Sequence, residues 1–245
     1  MSKGFIKMRI IDLNSTSSPS KCFCATIGIF EGVHLAHQAL IEECKRVAKN
    51  QDLASCIITF NLQTSLAKVT NQIPLFDDED KILRLSNTGV DRLIVIDFDE
   101  GFKKMSHQDF IMLLVDRQIK HLVIGFDFTY GFQGLGNVNT IPEDSQGKIE
   151  ATIIPKKTIN DQKIGTTQIK EYLTIGNIEA ANQLLGFPYY ITIKDGQAPQ
   201  VALLKNGKYQ VLINKVKQII TIQNGKLIDY HGLGNATITF FRNQE

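Results

Sequence analysis

Phe23-Cys24-Ala25-Thr26-Ile27-Gly28-Ile29-Phe30-Glu31-Gly32-Val33-His34-Leu35-Ala36-His37-Gln38-Ala39-Leu40-Ile41-Glu42-Glu43-Cys44-Lys45-Arg46-Val47-Ala48 is the stretch whose reading decides the fold. Residues 23–29 form a mostly apolar run of strand length. From Gln38 onward, Leu40, Ile41, Cys44, Val47 and Ala48 recur at helical spacing. The chain therefore leaves a buried strand, turns, and enters an amphipathic helix.

Working outward, the same alternation repeats. Ala54 to Phe60 (ASCIITF) is strand-like, Asp78 to Leu85 helical, and Arg92 to Ile96 a continuous apolar strand of the parallel-sheet type. Ser106 followed by Asp109 is a capping pattern that opens a helix through Arg117. His121 to Gly125 and Glu150 to Ile154 read as further strands. This order predicts right-handed crossovers onto a parallel sheet with helices on both faces. Ligands of such sheets bind beyond the carboxyl ends of the strands, so the residues just after each strand are the ones to weigh. After Pro188 the pattern changes to short β-type runs at 189–193, 201–204, 209–213, 218–222 and 237–241, punctuated by Asp195-Gly196, Asn206-Gly207 and Asn224-Gly225. The expected architecture is an α/β domain over 1–188 and a small antiparallel β module over 189–245.

Composition bounds the function. The chain has 245 residues, 43% of them hydrophobic, which is enough apolar side chain for a core. Its net charge of +2 argues against a phosphate-backbone binder, which needs concentrated basic residues. No apolar run reaches a membrane span, and the first 21 residues lack the apolar core of a signal peptide. The expectation is a cytoplasmic protein with small-molecule partners and neither nucleic acid nor membrane; oligomeric state stays open. Cys22, Cys24, Cys44 and Cys56 form no metal-ligand spacing and read as small core residues.

Three segments carry candidate chemistry. His34 and His37 sit three apart at the start of the first helix, where unpaired N–H groups attract phosphate, and Gly28 and Gly32 allow close approach of a ligand. The same pattern also reads as one capping and one surface histidine, or as a bare H-x-x-H metal pair. In Lys163-Ile164-Gly165-Thr166-Thr167-Gln168-Ile169-Lys170, Thr166 or Thr167 can cap a helix with Lys170 on the same face. That too is either a second phosphate site or a plain capped helix. Gly125-Phe126-Asp127-Phe128-Thr129-Tyr130-Gly131-Phe132 follows a buried strand and interleaves aromatics with a carboxylate. Such rings stack a flat heteroaromatic or fill the core. Alternation puts Phe126, Phe128 and Tyr130 on one face.

Together these segments resemble the adenylyltransferase module of the bacterial bifunctional riboflavin kinase/FAD synthetase family, a nucleotidyltransferase of the HxGH type. TIGIFEGVHLAHQALI is similar to that family's T-I-G-x-F-D-G-x-H-x-G-H-Q-x-L-I, GFDFTYG to G-x-D-F-x-F-G, KIGTTQIK to R-I-S-S-T-x-I-R, and GNIEAANQLLGFPY to G-x-I-E-x-A-N-x-L-L-G-R-P-Y. The likeness runs from Phe23 to Tyr189. It implies a Rossmann-like fold and transfer of AMP from ATP to FMN, giving FAD, with Mg²⁺ carried by the nucleotide and no protein metal site. It implies catalytic roles for His34, His37 and Lys170. It implies ATP contacts at Gly28, Ile29, Phe30, Gly32, Ala36, Thr166 and Thr167. Asn61, Gly125, Phe126, Asp127, Phe128 and Tyr130 fall on the flavin side.

The departures are specific. Glu31 stands for Asp, Ala36 for Gly, Gly165 and Thr166 for a serine pair, and Lys163 and Lys170 for arginines. Ala36 puts a methyl where an adenine ring would pack. After the second strand, Asn61-Leu62-Gln63 stands for a P-H-P turn. The G-F-P-T-A-N signature of the kinase barrel is missing after Tyr189, and residues 189–245 are few for such a barrel. The β module is therefore expected to be truncated or degenerate relative to the kinase, without kinase activity. The rival expectations are a catalytically degenerate flavin- or nucleotide-binding protein and a transferase for another mononucleotide.

Overall fold

The computed structural model describes residues 9–12, 21–61, 73–159, 162–228 and 235–244. Leu62 and Gln63 of the turn after the second strand lie outside them. The chain divides into two compact units, one of residues 1–30, 37–71 and 82–156, the other of residues 31–36, 72–81 and 157–245.

The first unit is built on a parallel sheet. Its strands are β1 (Arg9–Asp12), β2 (Phe23–Ile27), β3 (Ala54–Phe60), β4 (Arg92–Ile96), β5 (Ile119–Gly125) and β8 (Glu150–Ile154), in the order β1-β4-β3-β2-β5-β8. A short hairpin of β6 (Thr129–Tyr130) and β7 (Gly136–Asn137) follows β5. The expected parallel α/β sheet is present, with one more strand, β1, at its edge beside β4. Strand side chains alternate between faces, and two apolar clusters follow that alternation. Cys24 and Val123 pack with Cys44, Val47 and Ala48 of the helix Leu35–Asn50. Phe23, Ala25, Ile27, Ile58 and Leu122 pack with Phe110, Ile111 and Leu114 of the helix His107–Asp116. Helices thus cover both faces. The Ser106 cap is made as its sequence predicts, its hydroxyl accepting from Asp109 N–H at 3.0 Å. Cys24, Cys44 and Cys56 are buried free thiols within this packing.

The second unit holds β9 (Thr158–Ile159) and β10 (Gln162–Lys163), the helices Thr166–Ile175 and Ile178–Leu185, and a five-stranded antiparallel sheet. That sheet comprises β11 (Tyr190–Ile193), β12 (Gly207–Ile213), β13 (Val216–Gln223), β14 (Lys226–Leu227) and β15 (Ala236–Gln244), ordered β11-β15-β12-β13-β14. Ile169, Leu173, Ile178, Leu184 and Leu185 share one apolar core with Ile191, Tyr209, Val211, Ile238 and Phe240. The compact units are therefore drawn elsewhere than a cut at 188/189, because the two helices bury their apolar faces with the antiparallel sheet.

Local readings are corrected in three places. Residues 201–204 are not a strand; Pro199–Leu203 is a 3-10 turn with proline in its first positions, where its fixed φ suits a turn. Asn206-Gly207 does not close a hairpin. The β12–β13 turn is instead Asn214-Lys215, at φ 50° and 67°. Asparagine tolerates that left-handed region, and the lysine is carried into it by the flanking ladder. Asp195-Gly196 and Asn224-Gly225 do turn as expected. Finally, Phe126 does not share the face of Phe128 and Tyr130, because a turn at Phe126-Asp127 interrupts the extended chain.

Candidate active site

In the parallel-sheet unit, the carboxyl edge of the strands encloses a cavity of about 350 Å³. The end of strand β2 supplies Ile27, and the two residues after it Gly28 and Ile29. Strand β3 ends on Phe60, and the segment after β4 adds Phe98, Phe102, Lys103 and Met105. The helix His107–Asp116 adds Phe110, and the hairpin after β5 adds Phe128, Thr129 and Tyr130. The chain leaves β2 toward β3 on one side, while β5 pairs on the other, so this is the switch point where such sheets bind ligands. The rings brace one another. Phe60 meets Phe98 and Phe102 at centroid distances of 5.8 Å, Phe102 meets Phe110 at 5.7 Å, and Phe128 stacks on Tyr130 at 5.6 Å. Edge-on and stacked pairs of this kind keep a ring-lined wall in place.

The predicted flavin-side residues divide. Phe128 and Tyr130 are in the wall. Phe126 and Asp127 stand in the exposed turn beyond β5, outside it, and Gly125 ends that strand, where a side chain would meet Asp127 Oδ1 at 3.1 Å. Asn61 follows Phe60 and donates from Nδ2 to Asp97 Oδ1 at 3.1 Å. The sequence reading missed Phe60, Phe98, Phe102, Met105 and Phe110. A signal existed: Phe98, Phe102 and Met105 recur four and three apart just beyond the apolar run Arg92–Ile96.

The turn between β2 and its helix has structural reasons of its own. Phe30 is fully buried at φ 53°, and its ring contacts His37 edge-on at 5.1 Å. A side chain on Gly28 would touch that ring at an ordinary 3.4 Å, so Gly28 leaves the cavity wall flat rather than relieving strain. Gly32 is required by the fold, since it sits at φ +81° and an added Cβ would lie 2.8 Å from Leu75 Cδ1. Ile29 is 41% exposed and its carbonyl accepts from Thr59 Oγ1 at 3.0 Å. Ala36 is half-buried against the apolar core of the second unit.

In the second unit, His34 is 4% exposed. Burial, with a further push from the Lys163 charge, lowers its pKa to about 4 against an opposing backbone hydrogen bond. The ring is therefore neutral near pH 7, with one donor and one acceptor nitrogen. Lys170 is not an isolated cation: its Nζ lies 2.8 Å from Glu31 Oε1, with both side chains mostly buried. The same oxygen accepts from Leu75 N–H at 3.0 Å, and Thr166 Oγ1 donates to the Glu31 carbonyl at 3.3 Å. Neither threonine caps the helix. Gly165 is the N-cap, in extended conformation, so the helix begins without a side-chain cap; Thr166 is its first residue and Thr167 is exposed. Among the described residues no group of three or more His, Cys, Asp or Glu is arranged to hold a metal, and no helix is long and apolar enough to cross a membrane.

Comparison with known proteins bears on these features. The sequence model of the family described as FAD synthetase matches residues 16–168. The chain is 37% identical over 167 residues to a bifunctional riboflavin kinase/FMN adenylyltransferase of Listeria monocytogenes, covering 66% of this chain and 53% of that protein. It is also 37% identical over 169 residues to the protein of that name in Bacillus subtilis, covering 67% and 54%. The chain thus spans about half the length of these curated relatives. A second Listeria monocytogenes protein, named FAD synthetase, is 25% identical over 222 residues and covered at 86% of this chain and 87% of its own. Among solved structures, one titled as a macrolide-efflux protein from Streptococcus pneumoniae has a TM-score of 0.76 at 20% identity, covering 97% of this chain and 92% of that one, a likeness of fold alone. With the ring-lined cavity at the switch point of a parallel sheet and a match running through both the β2 turn and the Lys163–Gln168 segment, the chain belongs to the FAD synthetase family.

Proposed function

We propose that this chain is an FMN adenylyltransferase, joining the AMP unit of ATP to FMN with release of pyrophosphate. The observation that carries the reading is the cavity ringed by Phe60, Phe98, Phe102, Phe110, Phe128 and Tyr130. Its volume is in the range of small-molecule sites, and its flat aromatic walls suit a fused heteroaromatic ring. An FMN phosphate oxygen would attack the α-phosphorus of ATP in line, forming one P–O bond as the bond to the pyrophosphate oxygen breaks. That chemistry asks for positioning and charge stabilisation rather than a protein nucleophile. Neutral His34, together with His37, would donate to phosphate oxygens, Thr166 and Thr167 would add hydroxyls, and Lys170 would supply a positive charge once shared with Glu31. Mg²⁺ would arrive on the nucleotide, which suits an ion that retains its waters and uses few protein ligands.

The domain reading accompanies this proposal: residues 1–188 as the adenylyltransferase and 189–245 as a β module without kinase function, on the missing G-F-P-T-A-N string. One observation favours a second reading, nucleotide binding without turnover. Glu31 already neutralises Lys170, the cation assigned to the leaving phosphates. One experiment separates the two: incubate the protein with ATP, Mg²⁺ and either FMN or riboflavin, and resolve the products by chromatography. FAD from FMN, and no FMN from riboflavin, is the expected result. FMN bound but unconverted would establish the second reading, and riboflavin phosphorylation at a comparable rate would overturn the kinase-free assignment.

A further inference from the structure

Behind the cavity wall, the Tyr130 hydroxyl joins a polar cluster whose other members the proposed reaction does not use. Asp144 ends the short helix Ile141–Asp144, and only 4% of its side chain is exposed. Tyr130 Oη donates to Asp144 Oδ2 at 2.5 Å, and His107 Nδ1 meets the same oxygen at 2.8 Å. The Tyr130 hydroxyl also lies 2.8 Å from Thr140 Oγ1, which in turn donates to the Asn137 carbonyl at 3.1 Å. The backbone is shaped around this cluster. A side chain on Gly136 would clash with the Tyr130 ring, and one on Gly131 would lie 2.5 Å from His107 Cα.

Two of the groups that meet on Asp144 belong to cavity-wall elements. Tyr130 is itself wall, and His107 opens the helix that carries Phe110, whose ring lies 5.7 Å from that of Tyr130. One carboxylate oxygen therefore ties two parts of the wall together. A buried carboxylate is retained at a solvation cost unless its hydrogen bonds are made, so the clamp holds only in one arrangement. We infer that Asp144 and His107 are positioning residues for the flavin ring, fixing Tyr130 against Phe110 and Phe128 so that the aromatic wall is pre-formed before ligand enters. This rests on the FMN reading of the cavity. A pre-formed wall spares the ligand the entropy of ordering a side chain, worth a few-fold to about tenfold in affinity per side chain.

The test measures dissociation constants for FMN, by quenching of its fluorescence, and for ATP, by calorimetry, in the full chain. Wild type is compared with Tyr130→Phe, Asp144→Ala and Asp144→Asn. Tyr130→Phe keeps the ring and removes only the hydroxyl; it is expected to weaken FMN about five- to tenfold and leave ATP within about twofold. Asp144→Ala should do the same. Asp144→Asn, which keeps an acceptor for the tyrosine, should recover most of the loss. Should Asp144→Ala not fold, Tyr130→Phe alone decides. Unchanged FMN affinity in Tyr130→Phe overturns the inference, and so does a parallel loss of FMN and ATP binding. If wild type itself binds ATP but no FMN, the functional reading falls and this inference with it; wild-type FMN binding with unaltered variants removes the inference alone.

Discussion

At the start of the helix Leu35–Asn50, His34 gives the folded chain an acid sensitivity that can be worked out in sign and size. Its pKa falls from 6.5 to about 4 because burial disfavours the imidazolium and Lys163 adds like charge. As pH drops, the unfolded chain takes up this proton first. The contribution of neutral His34 is therefore full above about pH 6.5, is lost as pH falls toward 4, and amounts to about 3 kcal/mol. Urea unfolding across that window should show wild type losing stability relative to His34→Gln; parallel curves would mean the ring is not sealed in solution. Glu31 and Lys170 make the second residue-scale case. Removing one partner of a mostly buried pair leaves a charge uncompensated, at about 3–5 kcal/mol, while removing both avoids that penalty. Glu31→Gln should cost more stability alone than together with Lys170→Met, as read from denaturant midpoints. The sequence pointed to both residues, as a departure at Glu31 and a candidate at Lys170, but nothing local linked them. Their meeting depends on the helix Thr166–Ile175 returning to the turn at Glu31.

Elements were legible where periodicity was strong. The strands over residues 23–27, 54–60, 92–96 and 150–154 and the helix after Ser106 lie where apolar runs and the capping pattern put them. Turn chemistry was less legible, because Asn214-Lys215 has no glycine to mark it and Asn206-Gly207 has one without turning a hairpin. The helix at Thr166 shows the same ambiguity of a single residue. Hydroxyls at Thr166 and Thr167 suggested a cap, yet the N-cap falls one residue earlier, on Gly165 at φ −163° and ψ 162°. That conformation suits any residue, and a Cβ there would meet nothing within 4 Å. Gly165→Ser should supply the cap hydroxyl and narrow the unfolded ensemble, raising stability by about 0.5–1 kcal/mol. Thermal unfolding checks this, and a lowered midpoint would show that the site does not tolerate a side chain. Gly136→Ala makes the opposite case. Its methyl must displace the Tyr130 ring, so about 1–3 kcal/mol of stability should be lost to overpacking, on the same measurement.

For the whole molecule, the composition of the second unit predicts what truncation does. The helices Thr166–Ile175 and Ile178–Leu185 bury Ile169, Leu173, Ile178, Leu184 and Leu185 with side chains from the antiparallel sheet. A chain cut after Pro188 exposes that face to water. The 1–188 fragment should be less soluble and unfold at lower urea than the full chain; an unchanged midpoint would show that the sheet contributes nothing to those helices. Sequence alone determined the alternation of strand and helix, the parallel sheet with helices on both faces, the change to antiparallel β after Pro188, and the segments that carry the family likeness. Each of these is written in local periodicity or in a contiguous motif, because burial along one element repeats every two or 3.6 residues. Only the tertiary structure decided that Phe60, Phe98, Phe102 and Phe110 join Phe128 and Tyr130 around one cavity, that Asp127 stays outside it, and that Lys170 is held by Glu31. Those pairings depend on strand order and on which distant segments pack together. A local pattern records that a side chain is buried, but it does not record which side chain it is buried against.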